Sequence, residues 1–137
     1  MKTILDTNVV LDVLLDRKPF VDPASRIFAL AEQSTIEGFL CATTVTTVNY
    51  LLRDSLSAAN ARETLRTLLN LFEVAVVNRA VIESALRSQI ADFEDAVIEE
   101  SGRVAGAECI VSRNTKDFRR ASLKVFDPVE FLLHLGQ

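Results

Sequence analysis

The chain has one histidine, two cysteines and no tryptophan in 137 residues. Each scarcity removes a class of chemistry. The lone His134 sits in Phe131-Leu132-Leu133-His134-Leu135, where a structural or exposed role is expected, so a Ser-His-Asp site is poorly supplied. Cys41 and Cys109 each lie within an apolar run and read as small core residues with reduced thiols. No CxxC or Cys/His spacing supports zinc or a redox site. With four Gly and three Pro, the chain has no low-complexity tract and no linker. No stretch approaches the ~18 uninterrupted apolar residues that span a bilayer. Asp6, Asp12 and Asp16 break up the N-terminus where a secretory signal would need apolar residues. A cytoplasmic protein with no membrane partner is therefore expected.

What is present is a hydrophobic content of 49% against 25% charged residues, which predicts a compact globular domain covering residues 1–137. The net charge of −4 argues against a broad, non-specific nucleic-acid binder while leaving room for a local basic face.

Apolar periodicity predicts alternating strands and helices. Lys2 to Leu5 reads as a strand and Asn8 to Leu15 as a helix, ended by Asp16-Arg17-Lys18-Pro19. Pro23 opens a second helix, and Glu37 to Ala42 is a second strand. Helices follow over Thr43 to Arg53 and Ala58 to Leu71, able to pack as a hairpin that either completes the core or pairs two chains. Phe72 to Val77 reads as a third strand, its Val-Ala-Val-Val run suiting burial on both faces. Asn78 caps a helix through Leu86, and Asp92 caps another to about Val104, stopped by Gly106. Glu108 to Ser112 and Leu123 to Phe126 are the last strands, and Asp127-Pro128 begins a closing helix. This order implies an α/β fold: a central parallel sheet of about five strands between helical layers.

Aspartates fall at the ends of these runs. Asp6 follows the first strand, Asp92 and Asp95 open a helix, and Asp117 lies just beyond Cys109-Ile110-Val111. Singly, each has a structural explanation: a strand end, a helix cap, a turn. Asp92 is the natural cap, which leaves Asp95 freer to face a site. Jointly, they stand where open parallel sheets build their clefts. Clustered carboxylates without Cys or His partners suit a hard cation such as Mg²⁺ or Mn²⁺. Such an ion lowers the pKa of a bound water and orients a phosphodiester for attack. Around Asp117 stand Arg113, Lys116, Arg119, Arg120 and Lys124, which read either as a solvated face or as a rim that positions phosphates.

Three segments together carry a resemblance. Ile4-Leu5-Asp6-Thr7-Asn8-Val9-Val10, Asp92-Phe93-Glu94-Asp95-Ala96 and Ile110-Val111-Ser112-Arg113-Asn114-Thr115-Lys116-Asp117-Phe118 resemble, in order and spacing, the PIN-domain family, particularly its VapC-like and PilT N-terminus-like members. The resemblance spans essentially the whole chain. It implies a three-layer α/β/α sandwich and Mg²⁺- or Mn²⁺-dependent ribonuclease activity on RNA, leaving a 5′-phosphate and a 3′-hydroxyl. Many members are toxins paired with an antitoxin protein, and homodimers are common. By resemblance Asp6, Asp95 and Asp117 are the catalytic and metal-binding carboxylates. Thr7, Asn8, Asn49, Asp92, Ser112 and Asn114 line the metal pocket, and Arg113, Lys116, Arg119 and Arg120 position the substrate.

Two positions depart from the family's pattern. Thr46-Thr47-Val48-Asn49 places Asn49 where a Glu is usual, and Asn114 stands where many relatives have Asp. Fewer charged ligands weaken a metal site. A degenerate module that binds RNA or a protein partner without efficient cleavage is therefore the alternative. Phosphotransfer domains fit worse: the third strand ends in Val76-Val77-Asn78, no acidic pair precedes Asp6, and Asn8 stands where a dehalogenase-like motif needs its second Asp.

Overall fold

The computed structural model describes residues 1–137 and contains five strands and seven helices. The strands are β1 (Lys2–Leu5), β2 (Glu37–Cys41), β3 (Glu73–Ala75), β4 (Cys109–Val111) and β5 (Lys124–Phe126). They form one parallel sheet in the order β3-β2-β1-β4-β5. Helices α1 (Thr7–Leu14), α2 (Val21–Glu32), α3 (Ala42–Leu52), α4 (Ala58–Leu71), α5 (Arg79–Leu86), α6 (Phe93–Ala105) and α7 (Pro128–His134) cover its two faces.

The two-residue period of the strands sorts the core into two halves. Leu5, Leu40, Cys109 and Val111 pack with α1, α2, α3, α4 and α7. Ile4, Phe39, Cys41 and Ile110 face the other way, onto α5 and α6. The helix boundaries follow from local chemistry. Asn78 and Asp92 accept from Val81 N–H and Asp95 N–H, and Gly106 leaves α6 at φ 86°, a left-handed value suited to glycine. Asp127 and Glu130 form a reciprocal capping box around Pro128. No helix is long and apolar enough to cross a membrane.

One element differs from expectation. The Phe72–Val77 run holds only a short β3 at the edge of the sheet, with Val74 and Val76 44% and 47% exposed. Its apolar run suggests burial on both faces, but a strand at the edge has a neighbour on one side only. The α3–α4 pair contributes Val48, Leu52, Ala61 and Leu68 to the first half of the core.

Candidate active site

The strand order reverses at β1: the chain passes from β1 outward to β2 and β3, then returns to lay β4 on the other side of β1. The gap beyond the C-terminal ends of β1 and β4 is the switch point, where open parallel sheets place ligands. Asp6 leaves β1 there and Ser112 leaves β4. The Asp6 N–H donates to Val111 C=O at 2.9 Å, carrying the β1–β4 pairing to the rim.

Asp6 is buried, 7% exposed, and its carboxylate has three protein donors. Thr7 N–H donates to Oδ1 at 2.7 Å, Ser112 Oγ donates to Oδ2 at 2.7 Å, and Asn8 Nδ2 donates to Oδ2 at 3.3 Å. Ser112 Oγ in turn accepts from Asn114 N–H at 3.0 Å and from Asn8 Nδ2 at 3.4 Å, while Asn8 Oδ1 accepts from Arg113 N–H at 3.2 Å. Thr7, Asn8, Ser112 and the Asn114 backbone, all sequence-derived candidates, therefore form one network around Asp6.

The acidic residues share an electrostatic neighbourhood. Burial raises the Asp6 pKa, the Ser112 and Thr7 hydrogen bonds oppose that rise, and the charges of Asp117 and Asp92 add to it. Asp95, in the first turn of α6, is pushed up to about 7, first by burial and then by Asp6, Asp92, Asp117 and Glu94. Asp117 lies exposed on a short 3₁₀ turn, Thr115–Phe118, and its N–H donates to Asn114 C=O at 2.9 Å. That turn is pinned by Phe118, 1% exposed, which is a core anchor rather than a stacking platform. A hollow of about 450 Å³ is lined by Arg113, Asn114, Thr115, Lys116 and Asp117. A second hollow, of about 170 Å³, continues past Lys116 and Asp117 to Arg119 and Arg120.

The convergence is looser than the sequence implies. No three acidic, His or Cys side chains stand close enough to grip one ion together. The donors are nevertheless all oxygens, and neighbouring carboxylates add to the rise at Asp6 and Asp95, so the set fits a hard dication that keeps several of its waters. Asp92 serves as the cap of α6, accepting from Asp95 N–H at 3.1 Å. Asn49 is half-buried on α3, and no side-chain hydrogen bond ties it to the residues around Asp6. The link from α3 to the site is instead Thr44, 1% exposed, whose Oγ1 lies 3.0 Å from Thr7 Oγ1. Nothing in the threonine-rich stretch 43–47 singles Thr44 out.

Arg113 also differs from expectation. Its guanidinium is engaged inside the protein rather than presented to solvent: Nε donates to Asp12 Oδ2 at 2.5 Å and Nη2 to Asp12 Oδ1 at 3.1 Å. The group also lies 4.0 Å from the centre of the Phe20 ring. Asp12 is wholly buried, and Arg17 approaches it at 3.8 Å. A buried carboxylate requires such pairing. The one sequence signal for Asp12 was its place one helical turn after Asn8. Lys116, Arg119 and Arg120 remain exposed.

A family model described as PIN domain matches residues 2–116. Among solved structures, the chain is similar to DNA-bound VapBC from Salmonella typhimurium, with 17% identity, 93% of this chain and 98% of that chain covered, and a TM-score of 0.71. It is also similar to VapBC-1 from nontypeable Haemophilus influenzae, with 17% identity, 94% and 99% coverage and a TM-score of 0.69. A toxin–antitoxin complex from Klebsiella pneumoniae aligns at 23% identity, 92% and 97% coverage and a TM-score of 0.69. At such identities the likeness is one of fold. No curated protein matches significantly.

Proposed function

The chain belongs to the PIN domain family, and we propose that it is a metal-dependent endoribonuclease that hydrolyses RNA phosphodiesters, acting as the toxin of a toxin–antitoxin pair. PIN domains are generally nucleases that use divalent metal ions, and three of the similar structures are VapBC or toxin–antitoxin complexes. The observation that carries the reading is the buried Asp6 carboxylate held by Ser112, Thr7 and Asn8 at the switch point of the sheet, close enough to Asp95 to add to the rise of its pKa. Carboxylates kept in mutual repulsion are stabilised by a dication more than by water.

In this reading Asp6, Asp95 and Asp117 hold Mg²⁺ or Mn²⁺, while Thr7, Asn8 and Ser112 fix the Asp6 carboxylate in place. Asp92 adds negative charge at the edge of the pocket, and Asn49 and Asn114 offer neutral oxygens. When bound, the cation supplies a water of lowered pKa and offsets charge on the scissile phosphate. Lys116, Arg119 and Arg120 draw the RNA backbone along the two hollows beside Asp117. Cleavage of a labelled single-stranded RNA in Mn²⁺, abolished by chelation and by Asp6→Asn, tests the proposal. Absence of cleavage by the unaltered protein in either metal would overturn it.

A second reading has a specific observation behind it. Asn49 and Asn114 replace common acids, and no three acidic side chains form a ligating set. A module that binds RNA or an antitoxin without efficient cleavage would retain RNA affinity in the same assay and show no metal-dependent product.

A further inference from the structure

Arg113 stands in the loop leaving β4, among the residues that line the larger hollow, yet its side chain points back into the fold. Both oxygens of Asp12 are taken by its fork, and the ring of Phe20 covers the guanidinium at 4.0 Å. The Arg113 side chain is 24% exposed and that of Asp12 is fully buried. Asp12 therefore has no route to a substrate. Asn8 and Asp12 lie one turn apart on α1 and so share a helix face. From that face α1 grips the same loop twice: Asn8 Oδ1 accepts from the Arg113 backbone N–H, and Asp12 accepts from the Arg113 side chain. On either side of the gripped Arg113 stand Ser112, which donates to Asp6, and Asn114, whose N–H donates to Ser112 Oγ and which leads into the 3₁₀ turn.

We propose that Arg113 and Asp12 are positioning residues for the nuclease reaction, clamping the loop after β4 so that Ser112, Asn114 and Asp117 meet Asp6 in the productive arrangement. This rests on the nuclease reading above. A bidentate fork held against an aromatic ring fixes a direction in space, which a lysine ammonium does not reproduce. Phe20, itself 40% exposed, acts as the outer stop that keeps the guanidinium over Asp12.

Positioning and phosphate contact make opposite predictions. If Arg113 held a phosphate, Arg113→Lys would retain most activity, Arg113→Ala would raise KM and lower the salt dependence of RNA binding by about one charge, and Asp12→Asn would free the guanidinium and tighten binding. As a clamp, Arg113→Lys and Asp12→Asn each lower kcat by ~10-fold or more, the scale expected when reacting groups lose alignment. KM and its salt slope stay at the parent values. The double variant is no worse than either single one, because both break one contact.

The experiment measures kcat, KM and salt slope on a labelled single-stranded RNA in Mn²⁺ for the full chain and these variants. Amide hydrogen exchange at Arg113 and Asn114 is followed in parallel without RNA. Faster exchange at both amides in Arg113→Lys and Asp12→Asn, with the kcat-only loss, supports the clamp. Unchanged exchange, or a KM and salt-slope effect confined to Arg113 variants, overturns it. If the parent protein cleaves nothing, the nuclease reading fails, and exchange at the two amides still decides whether the pair positions the loop. Should Asp12→Asn not fold, Phe20→Leu, altered at a partly exposed ring, must show the same faster exchange and a smaller kcat loss; its failure to do so overturns the clamp.

Discussion

Ser112 Oγ donates to Asp6 Oδ2 at 2.7 Å, joining the ends of two strands whose residues are 106 positions apart in the chain. This bond stabilises the ionised form of a carboxylate that burial otherwise pushes toward protonation. Ser112→Ala should therefore raise the Asp6 pKa further and weaken Mn²⁺ binding at neutral pH, since a metal must then displace a proton more often. Loss of the buried hydrogen bond should also cost about 1 kcal/mol of stability. Calorimetric Mn²⁺ titration and denaturant melts of the two proteins measure both effects; equal Mn²⁺ affinity would show that Ser112 does not tune this carboxylate.

Asp95→Asn should abolish cleavage and raise metal-free stability at pH 8. The sign follows from the raised pKa. Asp95 titrates at about 7 in the fold against an ordinary 3.8, so between these values the native state holds a proton that the unfolded chain has lost. Stability from this group is thus greatest at low pH and falls as pH rises from about 4 to about 7. The variant should have a higher Tm than the parent above that window, by a few degrees, with the gap closing toward its acid end. A lower Tm for the variant at pH 8 would contradict the electrostatic picture.

Mn²⁺ should reverse that pH trend. A dication binds the deprotonated carboxylates, so its stabilising effect grows as protons leave Asp95 and Asp6. The Tm gain from saturating Mn²⁺ should be small near pH 5 and largest near pH 8, above the value of about 7 to which Asp95 is pushed. A gain independent of pH would place the metal elsewhere.

Asn49→Glu should tighten Mn²⁺ binding and raise cleavage, because it restores a negative oxygen where the family usually carries one. The side chain is half-buried and not tied to the protein by a hydrogen bond, so the fold should tolerate the change. Calorimetry and RNA cleavage on both proteins give the answer; unchanged affinity would mean that this position does not reach the metal, in keeping with Thr44 being the α3 residue bonded to Thr7.

Gly38→Ala tests the packing beneath the sheet. A Cβ at Gly38 would fall 2.5 Å from Phe72 Cδ1, and Phe72 is itself held edge-on to Phe28 at a centroid distance of 4.9 Å. The ring has little freedom to retreat, so the substitution should destabilise by about 1–3 kcal/mol. A denaturant melt indistinguishable from the parent would show that the aromatic pair yields.

Most element boundaries were legible because their causes are local. Asn78, Asp92 and Asp127 cap helices through bonds to residues three positions away, and Gly106 ends α6 by its own backbone preference. The continuous apolar runs of β1 and β4 likewise marked them as strands, while the face each side chain takes came from the fold. The same local reasoning misread Phe72–Val77, since an apolar run reports that a segment is buried somewhere along it and not whether a neighbour stands on both sides.

The site divides along the same line. The sequence by itself determined that Asp6, Asp95 and Asp117 stand at the ends of structural elements, that the donors are oxygens, and that Asn49 and Asn114 are not acids. Only the tertiary structure decided that β1 lies between β2 and β4, which is what brings Asp6 against Ser112. It also decided that Thr44 reaches Thr7 and that Arg113 turns inward to Asp12, 101 positions away, instead of outward to a phosphate. The physical reason is that a charged side chain in a sequence has no partner until the fold supplies one. A basic run reads the same whether its arginine faces solvent or neutralises a carboxylate buried by another helix, and the cost of burying Asp12 unpaired is what settles the choice.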